Sequence, residues 1–371
     1  MMDLYRVAIA GSYGNYNLGD EAILRVIIAE LRKAGPMHVT VLSRDAEETR
    51  RRQAVDHAVA FGSLSRSETE ELFRGLDLFI LGGGGILYDE DLEMYARETL
   101  IAQELGVPVM VYAISAGPLE RMPSRVKAAQ LLNKAAAITV RDQNSRRLLE
   151  EVGVKRPIEV TADPAVLLEP EPLSMKDILK AEAIDPNATL IGLSVRELGP
   201  AAPGVDIEHY HRLVANAADY LVDRYGAEVV FFPLERRSFD VQHSHGVIAR
   251  MSRAQHATVL KGEYSPGQIV SLLRHFQFAA GMRLHFLIFS ALAEVPFVAL
   301  PYAAKVTGFL EDLKLDAPAL EQVSAGQFIA SVDRAWNKRE ELRAQVRGGL
   351  EGLRARARRN IAVAAALLTG P

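Results

Sequence analysis

Short apolar runs alternate with amphipathic stretches along most of the chain, and this alternation restricts the fold more than any other feature. In the segment DEAILRVIIAELRKAG, Ile23, Val26 and Ile27 recur at helical spacing, and Gly35 followed by Pro36 ends the helix. Apolar strands connected by helices of this kind predict a parallel sheet covered on both faces. The strands predicted in the first half are RVAIAGS, HVTVLS, LDLFILGG, PVMVYAIS, AAITVRD and IEVTAD.

A stretch rich in proline and acidic residues, EPEPLSMKDILKAEAIDPNA, interrupts the alternation and is typical of an interdomain linker. The strands predicted beyond it are TLIGLSVRE, EVVFFPLE, ATVLKG, FAAGMR and FVALPY. Two successive α/β halves predict two Rossmann-like domains that face each other across a cleft, with ligands at the carboxyl ends of the strands. The predicted divisions are an N-terminal domain over 1–168, a linker over 169–187, a C-terminal domain over 188–330 and a C-terminal helical segment over 331–371.

Composition excludes several classes of protein and site. The 371 residues carry a net charge of −4, so there is no overall attraction to nucleic acid and we expect no nucleic-acid partner. The absence of cysteine excludes disulfides, thiolate zinc sites and cysteine nucleophiles. The longest apolar stretch, which starts at Phe286, is broken by Glu294 and Pro296 and is too short for a membrane span. No targeting segment is recognisable either, so we expect a cytoplasmic protein.

The C-terminal segment is basic and helical in composition, with arginine at 354, 356, 358 and 359. We expect a solvated amphipathic helix that packs back on the domains. The alternative is attraction to an anionic membrane surface, which would make the protein peripheral at the inner face of the membrane.

Two glycine-rich stretches follow predicted strands. The first, GSYGNYNLGDEAIL, contains Gly14, Asn15 and Asn17 and lies between a strand and a helix, where ligands often bind. Its spacing is not the dinucleotide fingerprint, and Asp20 and Glu21 would stabilise the first turn of the helix without any ligand. A structural turn and a site for a hydroxyl-rich substrate are therefore both open on these residues.

The second stretch has four successive glycines, Gly82 to Gly85, directly after a buried strand. Each glycine raises the entropy cost of folding, so their presence favours the close approach of a ligand or of the other domain to the backbone, here at Gly83 and Gly84. Asp89 follows at the start of the next helix, where an N-cap is the alternative to a ligand contact.

Basic residues gather at the ends of several predicted strands. They are Arg141, Arg196, Arg283 and Lys305, with His285 two residues after one of the arginines. If these ends face one cleft, they form a cationic pocket for a small, multiply charged anion. The histidine follows a glycine at a helix start and could supply a proton near neutral pH. The motif HSH lacks a carboxylate at ligand spacing, so no metal site is predicted.

The ordered set of motifs GSYGNYNLGDEAIL, LGGGGILYD, TVRDQNS, TADPAVLL and GMRLHFLIFSALAEVPFVALPYAAKVTGF resembles the polysaccharide pyruvyl transferase family. The resemblance runs from residue 6 to about residue 312, and it is strongest to the branch that pyruvylates cell-wall polymers for anchoring S-layer proteins. It implies a GT-B-like fold. It also implies a transferase that uses phosphoenolpyruvate as its donor substrate, needs no cofactor and places pyruvate as a cyclic ketal on a sugar, here an N-acetylated hexosamine of a lipid-linked precursor.

The resemblance also implies roles for individual residues. Arg141, His285 and Lys305 match the basic residues that bind phosphoenolpyruvate in the family, and Arg196 and Arg283 would add further contacts to it. We expect His285 to protonate C3 of phosphoenolpyruvate and later to help phosphate depart, and we expect Asp20 to accept a hydroxyl proton. The residues expected on the acceptor side are Gly14, Asn15, Asn17, Gly83, Gly84 and Asp89. The alternatives are a GT-B glycosyltransferase that uses a nucleotide sugar and a non-catalytic sugar-binding protein. The oligomeric state is not predicted.

Overall fold

The computed structural model describes residues 4–198, 205–236, 239–317 and 319–370. The chain divides into two compact α/β units. Unit 1 comprises Met1–Leu168 and Gly352–Pro371, and unit 2 comprises Glu169–Glu351.

Unit 1 is built on a parallel sheet. Its strands are β1 (Tyr5–Ala10), β2 (Met37–Ser43), β3 (His57–Ala60), β4 (Leu78–Leu87), β5 (Val109–Ala116), β6 (Ala137–Val140) and β7 (Ile158–Val160). Within the described residues they form a seven-stranded sheet in the order β3-β2-β1-β4-β5-β6-β7. Its helices are α1 (Leu18–Ala34), α2 (Ala46–Arg52), α3 (Arg66–Phe73), α4 (Leu92–Glu104), α5 (Met122–Leu132) and α6 (Gln143–Val152). The central strands are buried almost throughout, which explains their continuous apolar sequences.

Unit 2 repeats this plan with a smaller sheet. Its strands are β8 (Thr189–Ser194), β9 (Ala227–Phe231), β10 (Ala257–Val259), β11 (Phe278–Gly281) and β12 (Phe297–Ala299). They form a five-stranded parallel sheet in the order β10-β9-β8-β11-β12 across the described part of the unit. The helices that begin in this unit are α7 (Met175–Glu182), α8 (Ile207–Tyr225), α9 (Asp240–Ile248), α10 (Pro266–Leu273), α11 (Leu284–Leu292), α12 (Ala304–Asp312), α13 (Ala325–Asn337) and α14 (Arg339–Thr369).

The predicted α/β class is confirmed, and each predicted strand overlaps an observed one. The prediction missed β3, whose four residues HAVA offer too short a pattern to recognise. Gly82–Gly85 also differ from the prediction, because they continue β4 and do not form a turn after it. The predicted linker over 169–187 belongs to unit 2 and contains α7.

The C-terminal segment forms one long helix, α14, whose residues up to Glu351 belong to unit 2 and whose remaining residues belong to unit 1. Its buried residues recur every three or four positions and are Val346, Leu350, Leu353, Ala357, Asn360 and Ala364. In unit 1, Arg354 donates to the carbonyl of Val166 and Arg359 pairs with Glu159. Among the described helices, none combines the length and the apolar composition needed to cross a membrane.

Candidate functional site

Three basic side chains of unit 2 surround the phenol of Tyr302. Arg196 lies two residues beyond β8, Arg283 is the N-cap of α11 after β11, and Lys305 is the second residue of α12 after β12. Because β8, β11 and β12 are neighbours in a parallel sheet, their carboxyl ends meet at one edge. We call Arg196, Arg283 and Lys305 the cationic cluster.

Two members of the cationic cluster contact the Tyr302 ring. Arg196 Nη1 donates to Tyr302 Oη at 2.6 Å, and the Arg196 guanidinium lies 4.8 Å from the centre of the phenol ring. Lys305 Nζ lies 5.7 Å from the same ring centre. Tyr302 is buried, whereas Arg196 and Lys305 are half-buried.

The cationic cluster changes the acidity of this phenol. Burial alone would raise the pKa of Tyr302, but the positive charges of Lys305, Arg196 and Arg283 outweigh it and lower the pKa to about 8. The tyrosine is therefore partly ionised near neutral pH. The same charges would favour any other anion at this position.

Arg283 differs from the other two cations because carboxylates of its own unit hold it. Its guanidinium is buried and pairs with Glu235 at 2.8 Å and with Asp240. Asp240 also accepts hydrogen bonds from the backbone amides of Leu234 and Glu235, each at 3.1 Å. Burial lowers the pKa of Arg283, but its carboxylate partners more than compensate and raise it above its ordinary value. Burial raises the pKa of Asp240 despite Arg283.

Next to the cationic cluster, Tyr210 on α8 links the segment after β8 to a histidine pair. Its hydroxyl donates to the carbonyl of Arg196 at 2.9 Å and lies 2.7 Å from His243 Nδ1. His211 lies 3.0 Å from His243, and burial lowers the pKa of both imidazoles. The described residues contain no group of three histidines, aspartates or glutamates arranged to hold a metal ion.

His285 is the second residue of α11, two positions after Arg283, and is half-buried. Its ring centre lies 6.3 Å from that of Phe289, one turn further along the helix. The predicted arrangement of strand, glycine, arginine and histidine is therefore present at this helix start.

Arg141 lies in unit 1, at the end of β6, and has partners of its own. Its guanidinium is buried and contacts Asp163 Oδ2 at 2.5 Å and Ser115 Oγ at 2.7 Å. Asp163 comes from the motif TADPAVLL and also accepts from the amide of Ala165. Burial would lower the pKa of Arg141, but Asp163 and Asp142 raise it. The motif TVRD is thus tied to the motif TADPAVLL by a buried ion pair.

The two glycine-rich stretches lie together in unit 1. Tyr13, fully buried in the first stretch, donates its hydroxyl to the carbonyl of Gly82 in the second. Gly83 and Gly84 have left-handed backbone angles, with φ of +80° and +84°. A Cβ placed on Gly84 would lie 2.9 Å from Asp20 Oδ1. Glycine at this position therefore lets the backbone of β4 come close to the Asp20 carboxylate.

The remaining residues of the first stretch stabilise the start of α1. Asn17 is the N-cap and accepts from the amide of Gly19 at 3.0 Å. Glu21 accepts from the amide of Gly14 at 2.8 Å and from Gln53 at 2.7 Å. Burial raises the pKa of Glu21. Asn15, between them, is half-buried.

Asp89 does not form the N-cap that we considered for it. Residue 91 holds that position at α4, and Asp89 accepts from the amides of Glu120 and Arg121 at 2.8 Å and 3.2 Å. Its carboxylate therefore fixes the segment that precedes α5.

Sequence reasoning missed Tyr302 and the anchoring role of Asp240. The only local signal for Tyr302 was its place between a strand end and Lys305 in the motif LPYAAK. Asp240 gave no signal, because it is brought to Arg283 by the fold from 43 residues away.

Comparison with known proteins identifies relatives for most of the chain. The sequence model for polysaccharide pyruvyl transferase matches residues 17–303, more than three quarters of the chain. The amylovoran biosynthesis protein AmsJ of Erwinia amylovora is 23% identical over 288 residues, which cover 74% of this chain and 69% of AmsJ.

Solved structures share the fold at low sequence identity. A glycosyltransferase from Rickettsia africae has a TM-score of 0.65 at 10% identity, with all of both chains covered. The UDP-GlcNAc 2-epimerase of Neisseria meningitidis, bound to UDP-GlcNAc, has a TM-score of 0.62 at 12% identity and covers 97% of this chain and 99% of its own. These likenesses show the GT-B-like type of fold, and at such identity nothing further.

Proposed function

The chain belongs to the polysaccharide pyruvyl transferase family, and on that premise we propose that it transfers the pyruvyl group of phosphoenolpyruvate to a sugar as a cyclic ketal, with release of phosphate. The observation that carries the proposal is the cationic cluster around Tyr302, whose three positive charges act on one phenol and lower its pKa to about 8. Phosphoenolpyruvate has a phosphate and a carboxylate on one small frame, and several cations are needed to orient it.

The charges around the cationic cluster indicate which of its members act on an incoming anion. Arg283 carries one positive charge but is paired with the carboxylates of Glu235 and Asp240. Arg196 and Lys305 therefore supply most of the field that an incoming anion meets, and Arg283 fixes the geometry of the α11 start. Arg141 is proposed as a further contact to phosphoenolpyruvate because it matches a basic residue of the family's motifs. Asp163 holds its side chain.

On the acceptor side, we propose that the sugar contacts Asp20 and the backbone of Gly83 and Gly84. The other residues proposed for the acceptor side belong to the same sequence motifs and are Gly14, Asn15, Asn17 and Asp89. The left-handed glycines give a sugar room to approach the backbone of β4. We propose an N-acetylated hexosamine of a lipid-linked cell-wall precursor as the acceptor, used on the cytoplasmic side, and polymers that anchor S-layer proteins as its destination.

The proposed chemistry begins with protonation. His285 gives a proton to C3 of phosphoenolpyruvate, C3 becomes the product methyl group, and C2 becomes electrophilic. One sugar hydroxyl attacks C2, and Asp20 accepts its proton. A second hydroxyl of the same sugar then displaces phosphate and closes the ketal. General acid–base assistance of this kind contributes roughly 10²–10⁴-fold to the rate.

The test is incubation of the full chain with phosphoenolpyruvate and a panel of UDP-linked and lipid-linked amino sugars. We expect release of inorganic phosphate together with an acceptor whose mass has increased by a pyruvate ketal. Turnover of a UDP-sugar without phosphoenolpyruvate would show a glycosyltransferase instead. Acceptor binding without any phosphate release would show a sugar-binding protein.

A further inference from the structure

Formation of a cyclic ketal moves two protons, and His285 has already given its proton to C3 when the phosphate leaves. Two sugar hydroxyls each lose a proton. One proton is needed on C3 of the pyruvyl group, where His285 is the proposed acid. The other is needed on phosphate, because cleavage of the C2–O bond leaves the bonding electron pair on the phosphate oxygen. Protonation of that oxygen lowers the barrier to its departure.

We propose that Tyr302 donates the proton to the departing phosphate, a role that rests on the pyruvyl transfer proposed above. As the C2–O bond breaks, its electron pair stays on oxygen, and this oxygen takes the proton from Tyr302 Oη. The phenolate that remains is neutralised by the proton lost from the second hydroxyl, directly or through water. The tyrosine is then restored and the proton count is balanced.

The position of Tyr302 suits this role. Its oxygen accepts a hydrogen bond from Arg196, and Lys305 Nζ lies 5.7 Å from its ring centre. These are the two cations proposed above to meet the incoming anion. A phosphate bound by the same two side chains would therefore lie beside the phenol. After proton transfer, the same donors would stabilise the phenolate.

The charges that face Tyr302 come from three segments of unit 2. They are Arg196 after β8, Arg283 before α11 and Lys305 on α12, with Glu235 and Asp240 behind Arg283. Without a bound anion they hold the pKa of Tyr302 at about 8. Phosphoenolpyruvate would neutralise them, so its binding should raise that pKa and leave the phenol protonated, ready to donate.

The first experiment follows tyrosinate absorbance in the ultraviolet as the pH of the full-length protein is raised. We expect one tyrosine to ionise at about pH 8 in the wild-type protein and this step to be lost in Tyr302→Phe. Tyr225→Phe is the matched control, since the hydroxyl of Tyr225 bonds to Asp333 and burial raises its pKa above the ordinary value. Addition of phosphoenolpyruvate should move the wild-type step to higher pH. Identical titrations of Tyr302→Phe and the wild type would overturn the proposal.

The second experiment measures turnover. Tyr302→Phe should lower kcat by roughly 10²-fold or more with a smaller change in KM for phosphoenolpyruvate, and Tyr225→Phe should leave both unchanged. Wild-type kcat in Tyr302→Phe would overturn the role of Tyr302 while leaving pyruvyl transfer standing. A third outcome is that the wild-type protein releases no phosphate with any acceptor and that phosphoenolpyruvate does not shift the tyrosine ionisation. This outcome would overturn the proposed function and, with it, the role of Tyr302.

Discussion

Replacement of Lys305 and of Arg283 by glutamine should separate binding of phosphoenolpyruvate from stability of the fold. Lys305 is half-buried, its Nζ lies 5.7 Å from the centre of the Tyr302 ring, and two other cations act on the same phenol. Lys305→Gln removes a charge-assisted contact to the ligand, worth about 1.5–3 kcal/mol, so the Kd for phosphoenolpyruvate should rise roughly 10- to 150-fold. The folded state should lose little, because a repulsion between like charges is also removed.

Arg283→Gln should have the opposite effect, with a larger loss of folding stability than of phosphoenolpyruvate binding. It leaves Asp240, which is fully buried, without the cation that compensates its charge. Removal of one partner from a buried ion pair costs about 3–5 kcal/mol, and the raised pKa of Asp240 allows part of this cost to be avoided by protonation. The free energy of unfolding should therefore fall by about 3 kcal/mol.

Calorimetric titration with phosphoenolpyruvate and unfolding in urea measure the two quantities on the same samples. Lys338→Gln is the matched control, because Lys338 is an exposed lysine whose Nζ lies 3.5 Å from Glu341. It should change neither the Kd nor the unfolding free energy. The reasoning is refuted if Lys305→Gln binds phosphoenolpyruvate as Lys338→Gln does, or if Arg283→Gln costs less than about 1 kcal/mol.

Three further substitutions test individual residues. His285→Gln should lower kcat by roughly 10²–10⁴-fold and weaken phosphoenolpyruvate binding only modestly, which steady-state kinetics against titration calorimetry would show. Gly84→Ala places a methyl group on a backbone with φ of +84° and 2.9 Å from Asp20 Oδ1, so stability should fall by about 1–3 kcal/mol in urea unfolding and KM for the acceptor should rise. Asp163→Ala leaves Arg141 buried without its carboxylate, and thermal and urea unfolding should report a loss of about 3–5 kcal/mol.

The strands of the fold could be predicted because burial on both faces restricts a strand to apolar residues. Strands such as β4, and β1 from Val7 onward, are covered on both faces, so their sequences are continuously apolar and stand out from the helices. The run of four glycines, Gly82–Gly85, was wrongly predicted to follow the strand. Glycine is normally unfavourable in a strand, yet it suits β4 here, because Ile23 and Tyr13 pack against Gly83, and Asp20 and Ile23 pack against Gly84.

The site could be predicted only in part, since sequence position shows where a strand ends but not what the fold brings to it. Arg196, Arg283 and Lys305 were found from their strand ends, and the structure gathers all three around one phenol. Their differences could not be predicted, because only the fold brings Asp240 and Glu235 to Arg283. The convergence of Arg141 with these residues stays a prediction.

The division of α14 between the units has a consequence for the order in which the protein is made. The face that Leu353, Ala357 and Asn360 complete belongs to unit 1, and Asn360 hydrogen-bonds to Thr161 and to the carbonyl of Ala162. These residues leave the ribosome only after the whole of unit 2 has been synthesised. Domains generally fold from the N-terminus during synthesis, but the core of unit 1 is completed only when α14 emerges.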